Sequence, residues 1–168
     1  MERGHMLEQL KKLQPSEARK RIRSGSLSVP TSGISNGFIQ ANLAILPKEL
    51  AFDFLLFCQR NPKSCPLIEV TEPGVPFTTS AVEADLRTDI AKYRVYRNGV
   101  FTEELDNITD LWKDDMVGFL IGCSFTFEEA LVKNGIPIRH NEIGCNVPMY
   151  KTTIESKKAG IFEGPMVV

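Results

Sequence analysis

The sequence has no long apolar run. Its longest apolar stretch lies near residues 116–127 and is broken by Gly118, Gly122 and Ser124. A helix that spans a bilayer needs about 20 apolar residues in succession, so no membrane partner is expected. The N-terminal residues MERGHMLEQLKKLQ show neither the apolar core of a signal peptide nor a transit-peptide pattern. A cytoplasmic location is therefore expected.

Cysteine pairs are also absent. Cys58, Cys65, Cys123 and Cys145 form no C-x-x-C motif, and no histidine lies at ligand spacing from any of them. This pattern predicts no metal site, and in a reducing compartment it predicts free thiols rather than a disulfide. The simplest interpretation treats these residues as buried small apolar side chains, with Cys58 as the best case.

The chain has no excess of charge of either sign. Its 20 basic and 21 acidic residues give a formal net charge of -1. Nucleic-acid binding usually requires a clustered basic surface, so no nucleic-acid partner is expected. One basic cluster (Arg19, Lys20, Arg21 and Arg23) lies on a short helical stretch, where the pattern favours a solvated helix face over a phosphate site.

Turn residues divide the first half of the chain into short elements. Proline suits the first turn of a helix and glycine its end, so a helix is predicted between Pro15 and Gly25. A strand is predicted over residues 38–46, a second helix from Pro47 to about residue 61, and a short strand over residues 66–70. The residues at 3–4 spacing that predict the buried face of the second helix are Phe52, Leu55, Leu56 and Gln59.

The clearest local signal is Asn98-Gly99, which lies between the β-prone runs YRVYR and VFTEEL. Asn-Gly favours the type I′ turn, whose twist matches that of a hairpin. The sequence therefore predicts an antiparallel hairpin over residues 93–105.

The second half of the chain is predicted to begin with a helix. This helix starts at about Asp110 and runs to the GCSF segment, with Leu111, Met116 and Phe119 on one side. Thr126 and Glu129 fit a capping box that opens a further helix, which ends near residue 135. Strands are predicted over residues 136–138, 147–150 and 166–168.

Helices and strands that alternate with short connections predict an α/β fold (mixed α+β), with a mixed sheet and flanking helices. Residues 1–14 are polar and are interpreted as an N-terminal extension. The last residues, GPMVV, are apolar, whereas chain ends are usually polar and frayed. A chain truncated at its C-terminus is therefore expected.

Five segments carry a family resemblance. They are PSEARKRIRSG (15–25), QANLAILPKELAFDFLLFCQRNP (40–62), ADLRTDIAKYRVYRNG (84–99), ITDLWKDDMVGFLIGCSFTFEEAL (108–131) and NVPMYKT (146–152). In this order and spacing they resemble the D-glutamate cyclase-like family of YcsI-type hydro-lyases, and GCSF is the most specific part. The resemblance covers nearly the whole chain and implies that residues 15–168 are the N-terminal part of such a domain.

The resemblance implies an α/β enzyme, a carbon–oxygen lyase. Its most specific form would cyclise D-glutamate to 5-oxo-D-proline with loss of water, a reaction that needs no cofactor. Two alternatives stay open: a dehydratase of another hydroxy or amino acid, and a non-catalytic protein that binds a small carboxylate, since function depends on sites rather than folds. The expected partner is a small acidic amino acid, and a homo-oligomer is possible.

The chemistry of such a cyclisation requires a base for the amine, an acid for the leaving oxygen and donors for an oxyanion. The GCSF segment offers Gly122 for close backbone approach, the Ser124 hydroxyl, and a helix start whose N–H groups attract an anion. Cys123 would be a nucleophile or an acid if this helix start lowered its pKa. The competing interpretation makes Gly122 and Cys123 ordinary packing residues.

Further candidates lie downstream and upstream of this segment. Glu128 is the freer of two neighbouring carboxylates, and His140 is a candidate base because histidine side chains titrate near neutral pH. Both can equally be solvated or structural residues. The candidates for substrate binding through polar or cationic groups are Gly122, Gln40, Asn42, Arg139, Asn146 and Tyr150.

We predict that Ser124→Ala weakens substrate binding or turnover by about ten- to a hundredfold, because one or two hydrogen bonds to a charged group are lost. The melting temperature should change little, because a loop hydroxyl contributes only ~1 kcal/mol. Steady-state kinetics and thermal melting check this together. Unchanged turnover would favour the packing interpretation.

Overall fold

The computed structural model describes residues 9–29, 31, 33–143, 145 and 147–168. These residues group into two compact units. One combines the described residues up to Phe38 with Thr71–Gly118, and the other combines Ile39–Val70 with the described residues from Phe119 to Val168. Because each unit combines two separate stretches of chain, its packing depends on contacts between residues far apart in sequence.

Helices and antiparallel strand pairs make up the described part of the chain. In chain order the elements are α1 (Pro15–Arg23), β1 (Ala41–Pro47), α2 (Lys48–Arg60), β2 (Leu67–Val70), β3 (Tyr93–Arg97), β4 (Val100–Leu105), a 3-10 helix (Thr109–Leu111), β5 (Met116–Gly122), α3 (Phe125–Lys133), α4 (Arg139–Glu142), β6 (Lys151–Glu155) and β7 (Pro165–Val167). The strands pair as β1-β5-β2, β3-β4 and β6-β7. The α+β class is confirmed, although the strands divide among separate small sheets. None of the helices in the described residues has the length and hydrophobicity needed to cross a membrane.

A small apolar core supports the start of the first unit. Its buried members are Leu10, Ala18, Leu27 and Ile34. Leu10 lies within the stretch interpreted from sequence as a polar extension, so this stretch also contributes an apolar contact. Pro15 begins α1 as predicted.

Asp89 is a buried carboxylate that holds two arginines of α1. Its side chain is 3% exposed. Arg23 donates to both of its oxygens at 2.7 Å, and Arg19 Nε lies 3.6 Å away. The hydrogen bond to Asp89 raises the pKa of Arg23. A buried charge needs a charged partner, so these two arginines form ion pairs instead of the solvated face that the sequence indicated.

Strands β3 and β4 form the predicted hairpin, with Arg97 paired to Val100 across the turn. Asn98 and Gly99 have φ angles of 52° and 76°, the positive values that a type I′ turn requires. Local turn chemistry therefore predicted this element correctly.

Strand β5 is the central strand of the sheet β1-β5-β2, and Val70 of β2 pairs with Phe119. Phe119 is 0% exposed, and its ring centroid lies 4.9 Å from that of Phe54. The helix predicted from about Asp110 is wrong, because the 3-10 helix ends at Leu111 and a strand follows. The run MVGFLIG is apolar throughout, and such a run gives no period that separates a buried strand from a buried helix.

Helix α2 turns a different face inward from the one predicted. Phe52 is 71% exposed and Leu55 38% exposed, whereas Cys58 is 1% exposed and Phe54 packs on Phe119. The predicted 3–4 spacing of buried residues was right, but the wrong face was selected. Apolar residues occur around most of this helix, so the sequence does not distinguish one face from another. Burial raises the pKa of Cys58 to about 11, so this thiol stays protonated.

The cysteines and the last strands agree only in part with the sequence-based predictions. All four cysteines are free; Cys58 is buried as predicted, but Cys145 is exposed. The strands predicted over residues 136–138 and 147–150 are wrong, since β6 begins only at Lys151. The final strand is confirmed as β7, which pairs with β6.

The segment after β6 is fastened to the end of α2. The Asn61 side chain donates to Lys157 O at 2.9 Å and accepts from Lys157 N at 2.8 Å. One amide side chain thus satisfies both polar backbone groups of Lys157, as a neighbouring strand would.

The same segment approaches α2 closely at Gly160. Its φ is 54°, and a Cβ atom there would lie 1.9 Å from Asp53 Oδ2. Nearby, the Phe162 ring centroid lies 5.0 Å from that of Phe54. The close approach therefore requires glycine at this position, both for space and for backbone conformation.

We expect Asn61→Ala to lower the free energy of unfolding by about 1–3 kcal/mol, because two backbone groups lose their partner. Denaturant unfolding measures the change. Asn134→Ala is the matched control: its side chain makes one bond, to Ala130 O at 2.8 Å within its own helix, so its loss should stay below about 1 kcal/mol. Equal losses in both variants would contradict the role given to Asn61.

Candidate active site

The GCSF segment is a turn between the end of β5 and the start of α3. Ser124 is the N-cap residue of α3, with φ −68° and ψ −20°, and its side chain makes no capping bond. The predicted capping box is wrong in position, because α3 already begins at Phe125, before Thr126. The side chain of Glu129, the other half of that prediction, lies outside the described residues.

Two hydrogen bonds fasten the backbone of Gln40 to this turn. Cys123 Sγ donates to Gln40 O at 3.5 Å, and Gln40 N donates to Thr126 Oγ1 at 3.3 Å. Gln40, the residue before β1, is therefore held by Cys123, which precedes α3, and by Thr126, which lies in its first turn. Of the predicted pair Gln40 and Asn42, Gln40 joins the turn, whereas Asn42 is exposed on β1.

The Cys123 thiol is held in its protonated form. Burial raises its pKa first of all, and the charge of Glu128 raises it further, while the backbone N–H groups of Phe125 and Thr126 oppose the rise. The helix start thus acts on Cys123 as expected, but desolvation outweighs it. The condition under which Cys123 would be an activated nucleophile is not met, and the thiol is a hydrogen-bond donor.

The carboxylate of Glu128 is bracketed by two consecutive residues of α4. His140 Nε2 lies 3.0 Å from Glu128 Oε1, and the two side chains are 16% and 18% exposed. Asn141 Nδ2 donates to the other oxygen, Oε2, at 3.4 Å. The His140 contact is close but poorly directed, so Nε2 lacks a well-formed hydrogen bond in the described residues. A sheltered imidazole nitrogen beside a fixed carboxylate is suited to proton transfer.

The contacts around the start of α3 define one cluster, made of Gln40, Cys123, Thr126, Glu128, His140 and Asn141. The other predicted site residues make no described contact with this cluster. Gly122 donates its N–H to Pro66 O at 2.8 Å, and a Cβ atom there would make only ordinary contacts at 3.5 Å. Arg139 has an 80% exposed side chain 3.4 Å from Glu142. Tyr150 is 64% exposed. Asn146 lies outside the described residues.

Sequence reasoning missed two residues of the cluster. Thr126 was interpreted as a helix cap but accepts a bond from Gln40, and Asn141 was not considered although it holds Glu128. Asn141 directly follows the candidate base His140, and this position was the feature of the sequence that could have identified it. Among the described residues, no group of three or more His, Cys, Asp or Glu side chains is arranged to hold a metal ion.

The chain is similar to known proteins over most of its length. Residues 117–168 match the model of the D-glutamate cyclase family. The chain is 66% identical over 154 residues to a "Putative hydro-lyase" of Geobacillus kaustophilus, covering 90% of this chain and 58% of that protein. It is 57% identical over 155 residues to "Putative hydro-lyase YcsI" of Bacillus subtilis, covering 92% of this chain and 60% of that protein.

These matches relate the chain to proteins named as hydro-lyases. They confirm the resemblance to the D-glutamate cyclase-like family that the sequence showed. The matched segment contains Cys123, Ser124, Glu128 and His140. The chain spans only 58% to 60% of the length of these two relatives.

We expect Glu128→Gln to speed alkylation of Cys123 several-fold at neutral pH. Removing the carboxylate charge removes one cause of the raised pKa, so more thiolate is present. Iodoacetamide labelling followed by peptide mass spectrometry measures each cysteine separately. Cys145, which is exposed, is the internal control and should react at an unchanged rate; an unchanged Cys123 rate would refute the coupling.

Proposed function

We propose that this chain carries the proton-transfer centre of a hydro-lyase that cyclises D-glutamate to 5-oxo-D-proline with loss of water. The observation that supports this most is the sheltered contact between His140 and Glu128, beside the Cys123 thiol. All three residues lie within the segment that matches the D-glutamate cyclase family.

The reaction needs only proton transfers and one nucleophilic attack. The α-amino nitrogen attacks the γ-carboxyl carbon, a C–N bond forms, and a C–O bond breaks. The ammonium group loses two protons in total, and the departing oxygen leaves with two protons as water. Because no electrons are exchanged with another molecule, acid–base groups and donors to the oxyanion are sufficient.

His140 is the group that accepts a proton from the amine and returns one to the leaving oxygen. In this proposal Glu128 positions the imidazole by close contact, since one carboxylate oxygen lies 3.0 Å from His140 Nε2 and Asn141 holds the other. Cys123 stays protonated and supports the turn through Gln40.

The substrate carries two carboxylates, which require positive or N–H-rich surroundings. In this proposal the Ser124 hydroxyl and the α3 N-terminus receive one carboxylate, since a helix start attracts anions. Arg139, with its side chain largely in solvent, is available for the other. The preference for the D enantiomer is part of the proposal and rests on the family match.

We expect His140→Gln to reduce turnover of D-glutamate by about 10²–10⁴-fold, the usual contribution of a general base. Glu128→Gln should reduce turnover less, because the imidazole remains. Product is measured as 5-oxo-D-proline by chiral chromatography and mass spectrometry. Glu155→Gln, an exposed carboxylate on β6, is the matched control and should be unaffected.

Isotope labelling, thermal stabilisation and turnover of other substrates together distinguish the proposed reaction from its alternatives. D-Glutamate with both γ-carboxyl oxygens labelled as ¹⁸O should give a product that keeps one label and water that carries the other. Thermal stabilisation by D-glutamate without turnover would instead indicate a carboxylate-binding protein. Turnover of a hydroxy acid, with D-glutamate inert, would indicate a dehydratase of another substrate.

A further inference from the structure

Helix α3 exposes an apolar patch. Its first residue, Phe125, is partly buried. Phe127 is 64% exposed and Leu131 37% exposed, with the exposed Ala130 between them. Positions i, i+3 and i+4 lie on one helix face, so these three residues form one patch, here named the outer α3 face.

The outer α3 face has the pattern of a surface that packs against other polypeptide. An apolar stripe at 3–4 spacing normally faces a core, and amphipathic helices use the same spacing to dock into apolar grooves. Past the helix end, Ile136 donates its N–H to Leu131 O at 3.0 Å and is itself 51% exposed. Contiguous exposed patches of this kind mark interaction surfaces in soluble proteins.

The relatives contain polypeptide that the match with this chain does not cover. The match covers 90% of this chain but only 58% of the Geobacillus kaustophilus protein, so about two-fifths of that protein's length is additional polypeptide. We propose that the outer α3 face is the docking surface for polypeptide equivalent to this additional part. In that relative the additional part is joined to the matched part, so it reaches the equivalent face at high effective concentration, an advantage that a second copy in solution lacks. This inference does not rest on the proposed function.

The test compares the accessibility of one position in two proteins. Ala130→Cys places a small probe in the centre of the outer α3 face, first in this chain and then in a hybrid. In the hybrid, this chain replaces the matched residues of the Geobacillus kaustophilus protein, whose additional two-fifths is retained. Maleimide labelling, resolved by peptide mass spectrometry, should be at least about tenfold slower in the hybrid, since a buried thiol is shielded from the reagent. Lys20→Cys, on the exposed surface of α1, is the matched control and should label equally in both proteins.

Two results would contradict the proposed docking surface. Equal labelling of Ala130→Cys in both proteins would overturn the proposal. Labelling of this chain alone that slows as its concentration rises would also overturn it, since a second copy would then be the occupant. If the hybrid shows no cooperative unfolding, the intact relative with cysteine at the position aligned to Ala130 provides the same comparison.

Discussion

The second unit depends on the backbone hydrogen bonding of β5. This strand lies between β1 and β2, so its polar backbone groups find partners on both edges and its side chains can be apolar throughout. Phe119 fills the contact with α2, and the N–H of Gly122 bonds to Pro66 O at the strand's end. Because β5 is fixed on both edges, the turn that follows it has little freedom, and Cys123 and the start of α3 are positioned as a consequence.

Local chemistry allowed the sequence to predict some elements correctly. Asn98-Gly99 specified its hairpin, because the positive φ angles of a type I′ turn are rare for other residues. Pro15 likewise marked the start of α1. In each case the information lies in the residues that form the element, so neighbouring strands and helices were not needed to interpret it.

Elements that depend on distant partners were predicted less well. The run that forms β5 is equally apolar on all sides, and only its pairing with β1 and β2 makes it a strand. The buried face of α2 depends on the position of Phe119, which the sequence does not reveal. The pKa of Cys123 is raised by burial, which the sequence does not reveal, so the sequence could state the role of Cys123 only on the condition of a lowered pKa. Sequence reasoning selected Cys123, Glu128 and His140 separately, but the contact between Glu128 and His140 required the fold.

The close approach of Gly160 to α2 has a consequence for sequence variation. A side chain at Gly160 would occupy the space of the Asp53 carboxylate, and the positive φ of Gly160 disfavours other residues independently. The two positions are therefore expected to vary together, because a larger residue at 160 would need both a smaller residue at 53 and a changed turn. Relatives that differ at one of these positions should differ at the other, and such covariation would record the contact between α2 and the segment after β6 in sequences alone.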